Sequence, residues 1–198
     1  MGLPWGRRHW VFDLDGTLTR SIHDFAWIRS ELGLPEGVGI LEALAALPPE
    51  EAARKHTVLA DWEMGIAERA EAEPDAVRLV EALVARGARL GIFTRNGREI
   101  TARTLEVAGL ATHFPPAARI TRDCGPPKPL PDGLFDLLGR WGASADDSVM
   151  LGDWHYDIDA GRAAGCKTVL VDRDDGRYPW AERADVVVRR LDALLEGV

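Results

Sequence analysis

The chain has 198 residues, of which 46% are hydrophobic, and a formal net charge of −8 at pH 7. That hydrophobic share is typical of globular proteins and argues against an intrinsically disordered chain. The acidic balance argues against a dedicated nucleic-acid binder, which needs clustered Lys and Arg to neutralise phosphates. It leaves room for a small phosphorylated substrate, because one local basic pocket would suffice to hold it.

Two further features bear on location. No apolar run approaches the ~18 residues of a membrane span, and residues 1–8 lack the apolar stretch and cleavage site of a secretory signal. Cys124 and Cys166 are too few and too far apart for a disulfide framework or a zinc site. We therefore expect a cytoplasmic protein with two reduced thiols and no membrane partner.

Short segments rich in apolar and β-branched residues predict six β-strands. They are residues 9–14, 89–93, 118–120, 148–151, 167–171 and 185–188. Helical spacing of apolar residues predicts helices between them, one with Pro74 in its first turn and Gly87 at its end, and another ending at Gly109. Strand–helix alternation from residue 75 onward predicts an α/β fold, with a parallel sheet and helices on both of its faces.

The stretch from Thr19 to Glu73 differs, because it contains no convincing strand. Apolar residues at helical spacing predict three helices there, the third beginning near residues 48–50. Their apolar stripes are Phe25, Ile28 and Leu32; Leu41, Leu44 and Leu47; and Leu59, Trp62 and Ile66. We therefore predict an α/β core of residues 1–18 and 74–198, with a separate helical module at residues 19–73.

Two carboxylates follow the first predicted strand. Alternation in an extended chain points Asp13 and Asp15 to one side and Leu14 to the other. Ligands of open parallel sheets bind beyond the carboxyl ends of the strands, where these residues fall. The alternative is an ordinary acidic turn, since Asp-Gly is a common turn pair.

Polar residues at other strand ends favour the functional interpretation. Thr94 ends the second predicted strand, and Asp153 ends a later one, with Asp157 one helical turn further on. Lys128 lies between them in a loop stiffened by prolines. Two neighbouring pairs of carboxylates repel each other unless positive charge lies between them. A hard divalent cation with oxygen ligands, Mg²⁺ above all, would supply that charge.

With these residues, the chain resembles the haloacid dehalogenase superfamily of aspartyl-phosphate hydrolases, and most of all its phosphoglycolate-phosphatase-like branch. The resemblance spans nearly the whole chain and uses all four family motifs. They are Asp13-Leu14-Asp15-Gly16-Thr17, Thr94, Lys128 and Gly152-Asp153-Trp154-His155-Tyr156-Asp157. It implies a Rossmann-like core, with residues 19–73 as a small all-helical cap inserted after the first strand.

The resemblance also implies roles for the motif residues in hydrolysing a small phosphomonoester metabolite. Asp13 would be the nucleophile, Asp15 the general acid and base, and Thr94 and Lys128 would hold the phosphoryl oxygens. Two carboxylates are needed because Asp13 is esterified when the second proton transfer occurs. Dehalogenating relatives do not carry the second Asp, so Asp15 favours a phosphate ester over a carbon–halogen bond.

A Mg²⁺ site is implied by the same resemblance. Its ligands would be Asp13, the backbone carbonyl of Asp15 and Asp153, with Asp157 as a further ligand or a support for the others.

The sequence departs from the branch next to Thr94. Asn often follows that Thr, whereas here Arg95 follows it and Asn96 comes one residue later. We predict Arg95 and Asn96 as substrate-binding residues, because an Arg can hold a carboxylate or phosphate through two parallel hydrogen bonds. A solvated arginine at a helix start is the competing interpretation of Arg95. The cap is also short for the branch.

Aromatic residues near these motifs allow two interpretations each. His23 and Trp27 are four residues apart on the predicted first helix and would share a face, which could look into the active site or pack within the cap. Trp154 and His155 follow Asp153 and could wall the pocket, although plain aromatic packing would also account for Trp154.

Two other functions use similar residues. A sugar phosphomutase shares the core and the aspartyl-phosphate, but it needs a well-fitted cap to exclude water. A receiver-type phosphoacceptor domain, which is not an enzyme, also pairs carboxylates with Thr and Lys in an α/β fold. In such domains the acidic pair is adjacent and Thr and Lys follow all the carboxylates, whereas here Asp153 and Asp157 follow Lys128.

Overall fold

The structure is a computed structural model that describes residues 6–174 and 178–195. At its centre lies a parallel sheet of six strands in the order β3-β2-β1-β4-β5-β6. The strands are β1 (His9–Phe12), β2 (Arg89–Phe93), β3 (Arg119–Ile120), β4 (Ser148–Gly152), β5 (Lys167–Val171) and β6 (Val186–Val188). The α/β fold with a parallel sheet, predicted from the sequence, is confirmed.

Helices cover both faces of this sheet. They are α4 (Pro74–Ala85) and α5 (Arg98–Val107) on one face and α6 (Asp132–Trp141) and α7 (His155–Ala164) on the other. The strands alternate accordingly, since Trp10 and Phe12 are buried against the first pair and Val11 against the second. Strands buried on both faces explain why these segments read as continuous apolar runs.

The first predicted strand is too long at its C-terminal end. It ends at Phe12 rather than at residue 14, because the next residues fold back on themselves. The Leu18 backbone N–H donates to the Leu14 carbonyl (2.8 Å), and Gly16 has a φ of +84°, a conformation that favours glycine. This turn lifts Asp15 off the sheet.

Three helices lie between β1 and α4, as predicted: α1 (Phe25–Glu31), α2 (Ile40–Ala45) and α3 (Pro49–Ala67). They enclose a small apolar core of their own, which contains Ile28, Leu44 and Leu59. The segment joins the sheet through two neighbouring connections: the Glu73 N–H donates to the Leu18 carbonyl (2.9 Å), and the Arg20 N–H donates to the Glu71 carbonyl (3.0 Å). In addition, α3 packs against α5.

Three expectations about the chain as a whole can be compared with the structure. Residues 1–5 of the N-terminal segment considered above lie outside the described residues. Across residues 6–174 and 178–195, no helix has both the length and the apolar character needed to cross a membrane. Cys124 is exposed and Cys166 is buried, and both are free thiols.

Candidate active site

Polar residues from three adjacent strands meet at the carboxyl end of the sheet. Asp13 follows β1, Thr94 follows β2 and Asp153 follows β4, and β1 lies between the other two strands. The Asp13 backbone N–H donates to the Leu151 carbonyl (2.8 Å), which fixes its side chain at this edge. Together with Asp15, these residues line a cavity of about 580 Å³. The predicted convergence of carboxylates from separate strand ends is therefore what the fold produces.

Lys128 enters this cluster from the loop between β3 and α6. Its buried Nζ lies 2.5 Å from Asp13 Oδ1 and 2.6 Å from Asp157 Oδ1. Burial by itself would lower the pKa of Lys128, but attraction to Asp13 and Asp157 outweighs burial and raises that pKa. Lys128 is therefore a fixed positive charge between two carboxylates at the floor of the cavity.

The acidic side chains form a cradle that suits a hard cation. Asp13, Asp153 and Asp157 each offer a carboxylate oxygen, and these oxygens all lie within 4.8 Å of one another. A side chain at Gly16 would overlap the Asp153 carboxylate, so the backbone at residues 15–16 lies directly against it. Carboxylate and carbonyl oxygens are the ligands that Mg²⁺ takes in proteins, and the donor set therefore fits this ion.

Asp157 is more constrained than the other two carboxylates. Its Oδ1 accepts from Lys128, and its Oδ2 accepts from the Trp154 backbone N–H (3.0 Å). The second bond also caps the start of α7. With these two hydrogen bonds, Asp157 can orient Lys128 and support the other carboxylates of the ion site.

Asp153 and Asp157 hold their protons more tightly than carboxylates in water, because the pKa of each is raised. Burial raises the pKa of Asp157 to about 6, with Lys128 opposing the shift and Asp13 adding to it. Burial and then repulsion from Asp13 and Asp157 raise the pKa of Asp153 well above its ordinary value. The lysine alone does not offset this crowding of negative charge, and a divalent cation would.

Asp15 is held by hydrogen bonds from two sides. Asn96 Nδ2 donates to Asp15 Oδ2 (2.5 Å) and Thr19 Oγ1 donates to Asp15 Oδ1 (3.3 Å), while His23 Nε2 lies 3.9 Å from Oδ2. Burial raises the pKa of Asp15, and Asp13 adds to the rise against the opposing effect of His23. Asn96, predicted as a substrate-binding residue, thus has Asp15 as its partner in this structure.

Thr94 and Thr17 complete the hydrogen bonding of this edge. Thr94 is buried, and its Oγ1 accepts from the Asn96 backbone N–H (3.1 Å). Thr17 Oγ1 donates to Asp153 Oδ1 (3.3 Å), a link that the sequence analysis did not assign. Thr17 belongs to the first acidic motif, two residues after Asp15, and this position could have indicated its place in the site.

Arg95 projects toward the helical segment. Its Nη2 lies 2.7 and 2.8 Å from the two carboxylate oxygens of Glu42 on α2, and its Nη1 donates to the Lys128 carbonyl (2.5 Å). The guanidinium also lies over the Tyr156 ring, 4.5 Å from its centroid. Arg95 is 20% exposed, so it is not the solvated arginine of the competing interpretation. Its predicted role in substrate binding stays a prediction.

A second Arg–Glu pair joins the helical segment to the core. Arg122, after β3, donates from both terminal nitrogens to the two oxygens of Glu63 on α3, each at 2.7 Å. Burial would lower the pKa of Arg122, but Glu63 outweighs burial and raises it. Sequence reasoning missed this pair, because its members are 59 residues apart and neither belongs to a motif.

His23 does not lie on the first helix, so the predicted shared face with Trp27 is wrong. The Asp24 side chain accepts from the Trp27 backbone N–H (2.8 Å) and caps α1, which begins at Phe25. His23 precedes this cap and lines the cavity, stacked on Phe25 with 5.1 Å between ring centroids. Trp27 packs near Trp62 instead, at 6.5 Å.

Trp154 and His155 both line the cavity. On its other side, Trp154 meets Tyr178 and Trp180 edge to face, at 5.4 and 5.6 Å between ring centroids. Trp154 therefore lines the cavity and also packs against other aromatic rings, so the structure agrees with both interpretations.

Comparisons with known proteins identify the family. The family model for haloacid dehalogenase-like hydrolases matches residues 27–165. A haloacid dehalogenase-like hydrolase domain-containing protein of Arabidopsis thaliana is 31% identical over 183 residues, 85% of this chain and 71% of that protein. The chain belongs to this hydrolase family. The resemblance found in the sequence motifs is thus confirmed.

The hydrolase also has relatives named for their activity. The phosphoglycolate phosphatase of Rhodospirillum rubrum is 31% identical to it over 206 aligned residues, 90% of this chain and 85% of that protein. The crystal structure of a hydrolase from Pseudomonas syringae matches with a TM-score of 0.80 at 24% identity, over 96% of this chain and 97% of that one. At this identity the structural likeness shows a shared fold.

Proposed function

We propose that this phosphatase hydrolyses a small phosphomonoester metabolite through an aspartyl-phosphate on Asp13. One observation carries the proposal: the Asp13 carboxylate lines the cavity, 2.5 Å from a buried lysine and beside two further carboxylates. A carboxylate is a weak nucleophile toward an anionic phosphate, so it needs positive charge at this distance. The similarity to a phosphoglycolate phosphatase also supports phosphoester chemistry.

In the first half of the reaction, an Asp13 oxygen attacks phosphorus and the bond to the ester oxygen breaks. Thr94 and Lys128 hold the phosphoryl oxygens, and Asp15 gives its proton to the departing alkoxide. The raised pKa of Asp15, caused by burial and by Asp13, supports this role because an acid must carry its proton before transfer. Asn96 and Thr19 keep that carboxyl in place.

In the second half, a water molecule attacks the phosphorus of the aspartyl-phosphate. The Asp15 carboxylate accepts a proton from that water, the Asp13–phosphorus bond breaks, and inorganic phosphate leaves. Both carboxylates then return to their starting states, so the sum of the two halves is ester plus water giving alcohol plus phosphate.

The acidic cradle is the proposed Mg²⁺ site. When bound by Asp13, Asp153 and the Asp15 carbonyl, the ion would neutralise charge on the phosphoryl oxygens. Asp157 supports this arrangement by fixing Lys128, as its two hydrogen bonds indicate. These residues need to be in place before substrate arrives, because phosphoryl transfer depends on positioning and charge neutralisation.

Residues 19–73 are the proposed cap, with the core formed by residues 1–18 and 74–198. The cap has its own apolar core. It contacts the carboxyl end of the sheet, here called the catalytic edge, through the Arg95–Glu42 and Arg122–Glu63 pairs. Opening and closing of this segment would gate access to Asp13. We expect a bound phosphate analogue to increase hydrogen-exchange protection of α1–α3, and unchanged protection would contradict the gating role.

The test of the proposal is inorganic phosphate release from a panel of metabolite phosphates. We expect release that stops when divalent cations are chelated and returns when Mg²⁺ is restored. Asp13→Asn should lose at least about 10³-fold in kcat, since it removes the nucleophile. Asp146→Asn, an exposed carboxylate remote from the cavity, is the matched control and should behave as the parent.

Three results would contradict the proposal. They are release in excess chelator, retained turnover in Asp13→Asn, and conversion of a sugar phosphate to its isomer without free phosphate. The last result would indicate a phosphomutase instead.

A further inference from the structure

The cavity above Asp13 is large for the smallest phosphate esters. Its volume of about 580 Å³ falls within the 300–1,000 Å³ of pockets that bind drug-sized molecules. A phosphorylated two-carbon acid has only a few atoms beyond its phosphoryl group, and most of this space would remain filled with water around it. The volume therefore favours a larger alcohol on the ester.

Rings line this cavity from both sides. The cap and its approach contribute three rings and the catalytic edge contributes three more: His23, Phe25, Trp62, Trp154, His155 and Tyr156. Phe25 and Trp62 are held edge to face at 6.1 Å, and His23 stands edge to face to Trp62 at 5.5 Å. Rings in fixed offset or perpendicular arrangements suit a planar ring as an additional member.

Two of the three arginines that line the cavity already have carboxylate partners. Glu42 engages Arg95 with both oxygens, and Glu63 engages Arg122 in the same way. Arg29, further around the cavity, donates to the Pro35 carbonyl (2.6 Å). A substrate carboxylate that reached Arg95 or Arg122 would have to displace a glutamate, which is unfavourable.

His23 adds one polar group to this wall. Its side chain is 5% exposed, and Nδ1 is buried without a hydrogen-bond partner among the described residues. An unpaired buried polar atom costs free energy, which an uncharged hydroxyl or ring heteroatom of a substrate would recover. On the side of the helical segment the cavity wall is thus mainly apolar and aromatic, and His23 adds a buried polar contact.

We infer that this enzyme acts on phosphomonoesters whose alcohol is uncharged and carries a planar ring, in preference to esters of small carboxylic acids. The inference rests on the proposed phosphatase function and names its substrate class. Selectivity comes from stacking against Phe25 and Trp62 and from the occupation of Arg95 and Arg122 by glutamates.

The test compares three esters: benzyl phosphate, cyclohexylmethyl phosphate and phosphoglycolate. The first two match in size and charge and differ in planarity, and the third carries a carboxylate. We expect kcat/KM for benzyl phosphate to exceed that for cyclohexylmethyl phosphate about 2- to 10-fold, as an aromatic contact predicts. It should exceed that for phosphoglycolate by about 10-fold or more. Equal values for the two ring esters, or a preference for phosphoglycolate, would overturn the inference.

Two variants test whether Phe25 and Trp62 cause the preference for a planar ring. Phe25→Leu and Trp62→Leu should each lower the ratio of benzyl to cyclohexylmethyl turnover about 2- to 10-fold. Phe25 is 54% exposed, so its replacement leaves the apolar core untouched. Phe135→Leu, an equally exposed phenylalanine on α6 away from the cavity, is the matched control and should leave the ratio unchanged. Unchanged ratios in both cavity variants would also overturn the inference.

A binding measurement separates failure of the inference from failure of the proposed function. Dissociation constants of the three esters are measured on Asp13→Asn by tryptophan fluorescence with Mg²⁺ present. A ring preference in binding, with no phosphate release by the parent enzyme, would refute the phosphatase chemistry and retain the cavity's selectivity. No ring preference in binding would refute the selectivity whatever the turnover.

Discussion

On the sheet side of the cavity, each polar group is held by the ends of parallel strands and by buried hydrogen bonds. Lys128 and Asp157 are almost fully buried, and their partners are other groups of the same cluster. Across the cavity, the helical segment between β1 and α4 has its own small apolar core. It meets the catalytic edge through two Arg–Glu pairs, one of them with Glu42 42% exposed.

This difference assigns the two sides different tasks. A phosphoryl group has the same shape and charge in every monoester, so a rigid cluster on the sheet suits it. The alcohol varies among substrates, and a segment with its own apolar core can change its lining without disturbing the sheet. We therefore propose that residues at the strand ends carry out the reaction and that the helical segment determines substrate selectivity.

The largest effect should follow from removing the positive charge on the sheet side. Lys128→Met should lower kcat about 10²- to 10³-fold for every ester, because charge stabilisation at the phosphoryl oxygens is lost. Lys55→Met, on α3 and paired with Glu51, is the control and should retain parental kcat. The measurement is steady-state phosphate release, with circular dichroism to check the fold. A loss confined to one ester would contradict the division of tasks.

A smaller effect should follow from releasing Asp15. Asn96→Ala removes the 2.5 Å hydrogen bond to Asp15 Oδ2, and we expect kcat to fall about 10-fold with KM little changed. Asn96→Ser keeps a donor at this position and should recover part of the rate. A rise in KM without a fall in kcat would instead indicate that Asn96 binds substrate, as the sequence predicts.

On the helical side, the effect should depend on the substrate. Glu42→Gln removes the charge that neutralises Arg95, and kcat/KM for phosphoglycolate should rise about 2- to 5-fold relative to benzyl phosphate. Glu36→Gln, an exposed glutamate outside the cavity lining, is the control. An equal change for both esters would mean that Glu42 affects the reaction itself and not selectivity.

The smallest effect on activity should come from a buried carboxylate far from the cavity. Asp75 at the start of α4 accepts from Arg173 Nη1 (2.9 Å) and from the Leu191 backbone N–H (2.7 Å). Burial would raise the pKa of Asp75, but these bonds outweigh it and lower the pKa below 3.8. Asp75→Asn should cost about 1–3 kcal/mol of unfolding free energy near pH 7 and leave kcat unchanged.

The pH dependence of that loss follows from the direction of the shift. A carboxyl whose pKa is lowered by folding stabilises the protein above its unfolded pKa, and this contribution fades as pH falls toward the folded pKa. The difference between parent and Asp75→Asn in urea unfolding should therefore shrink as pH falls below about 4, the ordinary pKa of an aspartate. A constant difference across this range would show that the ionised carboxylate is not what stabilises the contact.

The sequence predicted the sheet side better than the helical side. Asp13, Thr94 and Asp153 could be placed together because each follows a strand, and parallel strands end at one edge. The turn after Phe12 shortened the first strand, yet Asp13 and Asp15 still line one cavity. Residue order was sufficient here because a parallel sheet brings the C-terminal ends of its strands to one edge.

Tertiary contacts between distant elements could not be found in this way. The Arg122–Glu63 pair and the Asn96–Asp15 hydrogen bond depend on how α3 and the loop after β2 pack, and neither follows from residue spacing. His23 was assigned to a helix because periodicity does not locate the cap at Asp24. His23 instead lies in the connection that precedes this cap, and there it lines the cavity.

The central claim is that Asp13 carries phosphorus during turnover. Asp15→Asn removes the acid of the first half as well as the base of the second, but 4-nitrophenolate leaves without a proton. With 4-nitrophenyl phosphate this variant should therefore slow mainly the second half, and a quench in acid during turnover should trap the intermediate. Mass spectrometry of the peptide containing Asp13 should then show the added mass of one phosphoryl group, lost on treatment with hydroxylamine. Full phosphate release by the parent, with no such mass on Asp13 at any quench time in Asp15→Asn, would contradict the account.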